Sequence, residues 1–148
     1  MAEFDRAVQG DGASPVAFVR RTWLADAGQL ASIRSEVRRW LGSLGLIEDA
    51  ASDVVFAVSE AATNAVEHAY RRPAAADVVE LTLWTEGAAI CIEIADHGRW
   101  RPPASSELSG RGRGIPMMRA LLDSVLISYD EHGTRVLLRH ELPVRPDL

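Results

Sequence analysis

Lysine is absent from this chain of 148 residues, because all sixteen of its lysine-or-arginine positions are arginine. A Walker-type phosphate loop, an ordinary protein kinase site and Schiff-base chemistry all depend on a lysine amine, so these three classes are excluded. Cysteine is nearly absent as well. Cys91 stands alone, which excludes an intramolecular disulfide and a cysteine-based zinc site.

Long apolar runs and a positive charge balance are also lacking. No stretch reaches the roughly eighteen apolar residues of a membrane-spanning helix, so we expect a cytoplasmic protein without a membrane partner. The net charge of -5 disfavours direct binding to nucleic acid. Neither His-Glu-x-x-His nor Gly-x-Ser-x-Gly occurs, which disfavours metalloprotease and serine hydrolase functions.

The chain is long enough for one packed domain. We place that domain at residues 16–141, between an N-terminal tail at 1–15 and a C-terminal tail at 142–148. Apolar residues at helical spacing predict one helix that begins with a capping box at Asp26 and Gln29 and ends at Gly42 and Gly45.

A second helix is predicted over residues 48–70 and a third from about residue 115 to 122. Alternating apolar residues predict a first strand at 16–24, a hairpin that ends at Asp96, and a last hairpin around residues 132–133. The order is β-α-α-β-β-α-β-β. We therefore predict an α/β (α+β) two-layer sandwich, with a mixed, mostly antiparallel sheet and helices on one face.

Glu60, Asn64 and His68 follow one another at four-residue spacing on the second helix. Residues at this spacing share one stripe of a helix, and this stripe borders the apolar face, which would place the three side chains at a cavity. The alternative is an amphipathic helix with no further role.

Glycines alternate with arginines at residues 110–114, just before the third helix. A dinucleotide-binding turn would need a strand immediately before these glycines, whereas the sequence there is Pro-Pro-Ala-Ser-Ser-Glu-Leu-Ser. Two interpretations remain. One is a turn whose backbone amides and following helix hold phosphates, and the other is a plain entry loop to that helix.

Four motifs occur in order: Ser-Glu-Ala-Ala-Thr-Asn-Ala-Val-Glu-His at residues 59–68, Asp-His-Gly at 96–98, Gly-Arg-Gly at 112–114 and Gly-Thr at 133–134. Together they resemble the GHKL ATPase superfamily, which has the Bergerat-type ATP-binding fold. Within it, the short chain and the stretch Gly-Arg-Gly-Ile-Pro-Met-Met-Arg resemble the bacterial anti-sigma factor serine kinases of the RsbW and SpoIIAB type. The resemblance covers residues 16–141.

The resemblance implies roles for the residues of the long helix. Asn64 would coordinate the Mg²⁺ that bridges the phosphates of ATP. Glu60 would accept the proton of the attacking hydroxyl as the catalytic base. His68 would belong to the nucleotide-binding residues.

The resemblance also implies how the base and the phosphates are bound. Asp96 would accept a hydrogen bond from the adenine amino group, Gly98 would leave room for the base, and Thr134 would close the adenine side with its hydroxyl. The segment 112–114 would contact the phosphates, through the backbone amides of Gly112 and Gly114 and the charge of Arg113.

The function implied is that of an ATP-dependent serine kinase. It would phosphorylate an anti-anti-sigma factor of the STAS type, hold a sigma factor inactive, and act as a homodimer through the first helix and strand. One alternative is a nucleotide-gated binding module without phosphate transfer, favoured by Trp100 in place of a family glycine and by the short segment 98–110. A soluble α/β domain, with Glu60 solvated and Asp96 as a strand cap, is the third possibility.

Overall fold

The computed structural model describes residues 18–46, 48–69, 77–98 and 114–142, with residues 68 and 69 described by their backbone alone. The predicted tails lie outside these ranges, except for Leu142 at the start of the second. In the described ranges, no helix is both long enough and apolar enough to cross a membrane.

The first helix, α1, comprises Leu30–Ser43 and follows a 3-10 turn at Ala27–Gln29. The predicted capping box is wrong, because the Asp26 side chain makes no capping hydrogen bond. The Gln29 backbone N–H instead donates to the Asp26 carbonyl at 2.9 Å. The 3-10 turn shifts Gln29 from the third helical position to the N-cap of α1, where a reciprocal capping box cannot form.

The end of α1 agrees with the prediction from its glycines. Gly45 has a φ of 74°, a left-handed conformation that glycine adopts without steric cost. Its N–H donates to the Gly42 carbonyl at 3.0 Å, and the Leu46 N–H donates to the Leu41 carbonyl at 3.2 Å. This pair of bonds is a Schellman motif, which satisfies the last carbonyls of the helix.

The second helix, α2, comprises Glu48–Asn64 and continues as a π-helical turn at Ala65–Ala69. The sequence predicted one regular helix to residue 70. Hydrogen bonds in a π turn span five residues instead of four, so four positions no longer complete one turn after Asn64. The backbone of His68 therefore leaves the stripe that Glu60 and Asn64 define.

The strands are Phe18–Leu24 (β1), Val78–Glu86 (β2), Ala89–Asp96 (β3), Ser124–Asp130 (β4) and Gly133–Glu141 (β5), and the third helix is Gly114–Leu121 (α3). The five strands form one sheet in the order β1-β2-β3-β5-β4, and each neighbouring pair is antiparallel. Helix α3 connects β3 to β4 in the chain, together with residues outside the described ranges. The predicted two-layer α+β class and the order of the elements are confirmed.

Strand β3 lies at the centre of the sheet and carries much of the core. Its inward residues pack with the buried faces of the helices in one cluster. Cys91, on the opposite face of β3, is buried too, with Arg139 Nη1 3.7 Å from its sulfur. Burial raises the pKa of the Cys91 thiol, which disfavours the reactive thiolate form.

Candidate functional site

Asp96 and Thr134 lie directly opposite each other, at the end of β3 and the start of β5. Asp96 is 6% exposed and Thr134 is 4% exposed, and they are the only buried polar or charged residues in the part of the chain that the structure describes. Burying polar groups is costly unless they are paired. Their shared position therefore marks this end of the sheet as a site built for a purpose other than packing.

A narrow cleft runs between this end of the sheet and the helices. The sheet side of the cleft is a row of apolar residues on three adjacent strands. Ile94 of β3 lies opposite Val136 of β5, which in turn lies opposite Ile127 of β4. The cleft is apolar apart from three polar side chains, which belong to Asn64, Asp96 and Thr134. Its other lining residues are Ala61, Ala65, Ile94, Ile115, Met118, Ile127 and Val136.

The Asp96 carboxylate is only partly satisfied by the chain. Its Oδ1 accepts a hydrogen bond from the Gly98 backbone N–H at 3.0 Å. Burial raises the pKa of Asp96, against the opposing effect of the Gly98 and Thr134 backbone N–H groups. A carboxylate has about four lone-pair sites, so Asp96 retains capacity for a donor from a ligand in the cleft.

The Thr134 hydroxyl oxygen is buried and has no hydrogen-bond partner among the described residues. Leaving such a group unpaired costs about 1–3 kcal/mol. A ligand with a hydrogen-bonding edge would recover this cost. The pair of Asp96 and Thr134 therefore suits a planar, mostly apolar ligand that carries a donor and an acceptor at one edge.

Two residues of the predicted helical stripe, Asn64 and Glu60, lie at different positions relative to the cleft. Asn64, the last residue of α2, lines the cleft beside Asp96. Glu60 lies one turn earlier and is not among the lining residues. Its carboxylate instead contacts the beginning of α3 at Gly114. The carboxylate and the amide thus lie at neighbouring but separate positions along α2.

A second hollow shares Asp96 but has a different character. It holds about 230 Å³ around the β4–β5 turn, against about 20 Å³ in the cleft. The hollow is open and lined by polar and charged groups, including His97, His132 and Arg135. A planar, mostly apolar ligand would require apolar walls, which the cleft has and the hollow lacks. Because 20 Å³ admits about one water molecule, the walls of the cleft would have to separate to admit such a ligand.

Some predicted site residues lie outside what the structure describes. These are Gly112, Arg113 and the side chain of His68. The apolar walls of the cleft were not predicted as site residues. Their signal was present in the two-residue period of the strands, since Ile94 precedes Asp96 and Val136 follows Thr134 by two positions, on the same face.

Asn64 is the metal ligand that the family resemblance implies. Over the described ranges, no group of three or more His, Cys, Asp or Glu side chains is placed to hold a metal ion. Asn64 offers an amide oxygen in the cleft. Mg²⁺ is commonly held by one or two protein oxygens together with water and substrate phosphates, so a single ligand from the chain fits that mode of binding.

Comparison with known protein families identifies the family of this domain. Residues 23–140 match the histidine kinase-like ATPase domain, and the chain belongs to this family. The match includes all the described residues of the cleft and the contact between Glu60 and α3.

Within this family, the chain is similar to anti-sigma factors. The chain is 30% identical over 125 residues to an anti-sigma F factor of Clostridium botulinum (strain Eklund 17B / Type B), covering 77% of this chain and 87% of that protein. It is 27% identical over 135 residues to an anti-sigma F factor of Clostridium perfringens (strain 13 / Type A), covering 84% and 96%.

Solved structures agree with the fold. The RsbU and RsbW domains of Rv1364c from Mycobacterium tuberculosis superpose with a TM-score of 0.71 at 26% identity, covering 86% of this chain. This chain spans 34% of that protein. The blue-light activated histidine kinase EL346 of Erythrobacter litoralis superposes with a TM-score of 0.58 at 20% identity, covering 78% of this chain and 40% of that one, which supports the fold alone.

Proposed function

We propose that the chain is an ATP-binding anti-sigma factor that phosphorylates a serine of a STAS-type anti-anti-sigma partner. In its other complex it holds a sigma factor inactive, and it acts as a cytoplasmic homodimer. The observation that carries the nucleotide part of the proposal is the buried pair of Asp96 and Thr134 in an apolar cleft. The similarity to anti-sigma F factors supports the choice of partners.

The adenine base is the ligand that the cleft fits best. Its exocyclic amino group is a donor for the Asp96 carboxylate, and its ring nitrogens are acceptors for the unpartnered Thr134 hydroxyl. The aliphatic walls would contact the faces of the ring. Two of these walls, Ile115 and Met118, belong to α3, so we expect the base to enter as α3 moves outward from the sheet.

Asn64 would hold Mg²⁺ through its amide oxygen, and the ion would supply positive charge beside the phosphates. Glu60 would accept the proton of the serine hydroxyl that attacks the terminal phosphate. The two residues lie one helical turn apart, which separates proton transfer from metal binding. Positive charge from a metal ion and from arginine would also explain how a chain without lysine handles phosphates.

The experiment is transfer of phosphate from Mg-ATP to anti-anti-sigma proteins encoded near this chain, followed by mass spectrometry. The unmodified chain is expected to phosphorylate one serine of one partner, and Glu60→Gln is the matched control that retains size but cannot accept the proton. Nucleotide-dependent capture of a sigma factor without any transfer would favour the binding-module alternative. Absence of both transfer and ATP binding would contradict the proposal.

A further inference from the structure

Gly114, the first residue of α3, lies against the carboxylate of Glu60 on α2. A Cβ atom at Gly114 would be 2.6 Å from Glu60 Oε2 and 3.6 Å from Glu60 Cδ. Real Cβ atoms do not approach an oxygen to 2.6 Å. The carboxylate therefore occupies space that any other residue at position 114 would fill.

The backbone at Gly114 does not itself require glycine. Gly114 belongs to the α-helical residues of α3, whereas Gly45, Gly87 and Gly133 have positive φ values. Alanine has the higher helix propensity, and it would fit the backbone conformation at this position. The missing side chain thus serves the neighbouring carboxylate, and not a turn.

We propose that Gly114 is a positioning residue for Glu60, which sets where the carboxylate lies by leaving it room against the start of α3. The contact links the helix that carries two walls of the base cleft to the helix that carries the carboxylate. Only its consequence for phosphate transfer rests on the function proposed above. The steric pairing itself rests on the contact between the two residues.

A methyl group at position 114 displaces a flexible side-chain end, which costs little folding free energy. We therefore expect Gly114→Ala to fold with an unfolding midpoint close to that of the unmodified chain, and its effect to fall on the carboxylate. Transfer to the anti-anti-sigma partner is expected to decrease at least tenfold. The decrease in the transfer rate should exceed any change in ATP affinity, because alanine retains the backbone N–H.

A shorter carboxylate provides the decisive control. In the Glu60→Asp background the side chain is one methylene shorter and withdraws from position 114, so adding Gly114→Ala should reduce transfer less than twofold further. Equal losses in the two backgrounds would mean that the methyl group acts on α3 and not through Glu60, which would overturn the proposal.

A readout without catalysis separates this proposal from the proposed function. Carbon-13 NMR of glutamate-labelled protein follows the Glu60 carboxyl signal, assigned from its disappearance in Glu60→Gln. Gly114→Ala is expected to shift this signal. Gly42→Ala, where an added Cβ meets nothing within 4 Å, is expected to leave it in place. An unshifted Glu60 signal in Gly114→Ala would overturn the proposal even if the chain is an active kinase.

Discussion

Gly133 approaches the backbone carbonyl of Asp96 so closely that a Cβ atom would overlap the carbonyl oxygen. Its φ of 148° is also a conformation that other residues rarely adopt. This contact lies one residue from Thr134, which is the partner of Asp96 across the sheet. The glycine therefore sets the separation of β3 and β5 where the polar pair is buried.

Gly133→Ala is expected to destabilise the fold and to reduce nucleotide affinity at the same time. The backbone conformation alone costs about 1–3 kcal/mol, and the overlap with Asp96 adds to this cost. Gly87→Ala is the matched control, because Gly87 has a φ of 57° with open space around it and should lose only about 1–2 kcal/mol. Urea unfolding of both variants measures the difference, and equal losses would show that the contact with Asp96 is unimportant.

Thr134→Val is expected to separate stability from binding. The substitution keeps the shape of the side chain but removes the unpartnered buried hydroxyl. The free energy of unfolding should therefore stay unchanged or rise by about 1 kcal/mol without nucleotide, while ATP affinity falls. Thermal unfolding and calorimetric titration test the two effects. Loss of stability with unchanged ATP affinity would mean that the hydroxyl supports the fold instead of a ligand.

The burial of Asp96 predicts a specific pH dependence. Its folded pKa is raised above the ordinary value of 3.8, so the folded state binds the proton more tightly than the unfolded state does. The associated stabilisation is fully present below the ordinary value and is lost as the pH rises through the folded pKa. Asp96→Asn lacks this loss. We therefore expect the free energy of unfolding of Asp96→Asn, relative to that of the unmodified chain, to rise as the pH increases from the ordinary value to the folded pKa of Asp96. Above the folded pKa the difference should level off, as measured by urea unfolding at a series of pH values.

Glu60→Gln and Asn64→Ala are expected to fail differently. The glutamine cannot accept a proton, so transfer should fall about a hundredfold or more while Mg-ATP still binds. Asn64→Ala removes the metal ligand and should weaken binding of Mg-ATP more than binding of ATP without metal. Calorimetry with and without Mg²⁺, alongside the transfer assay, separates the two. Undiminished transfer by Glu60→Gln would remove Glu60 from the catalytic role.

The sequence was sufficient for the order of elements because its periodicity changes clearly. Helical spacing over residues 30–44 and alternation over residues 78–96 each have one interpretation. The capping box at Asp26 failed because a 3-10 turn and an α-helix begin with the same local pattern. The π turn after Asn64 also left no signal, since one extra residue in a turn does not alter the apolar face before it.

The candidate site also has features that the sequence predicts and features that only the packing of the fold determines. Asp96 and Thr134 were predicted through a resemblance, and their burial and opposition follow from strand register, which depends on pairing between distant segments. The contact between Glu60 and Gly114 joins residues 54 positions apart in the sequence (114 − 60) and comes from the packing of two helices. Spacing along one chain does not encode how closely those helices approach.

Calorimetric titration of Mg-ATP into Asp96→Ala tests whether Asp96 binds the base of a nucleotide in the cleft. We expect a loss of about 1–3 kcal/mol in binding free energy with the fold retained. Glu93→Gln, which removes a carboxylate from the same strand in an exposed pair with Arg135, should bind ATP normally. Equal ATP affinity in Asp96→Ala and the unmodified chain would show that Asp96 does not bind the base.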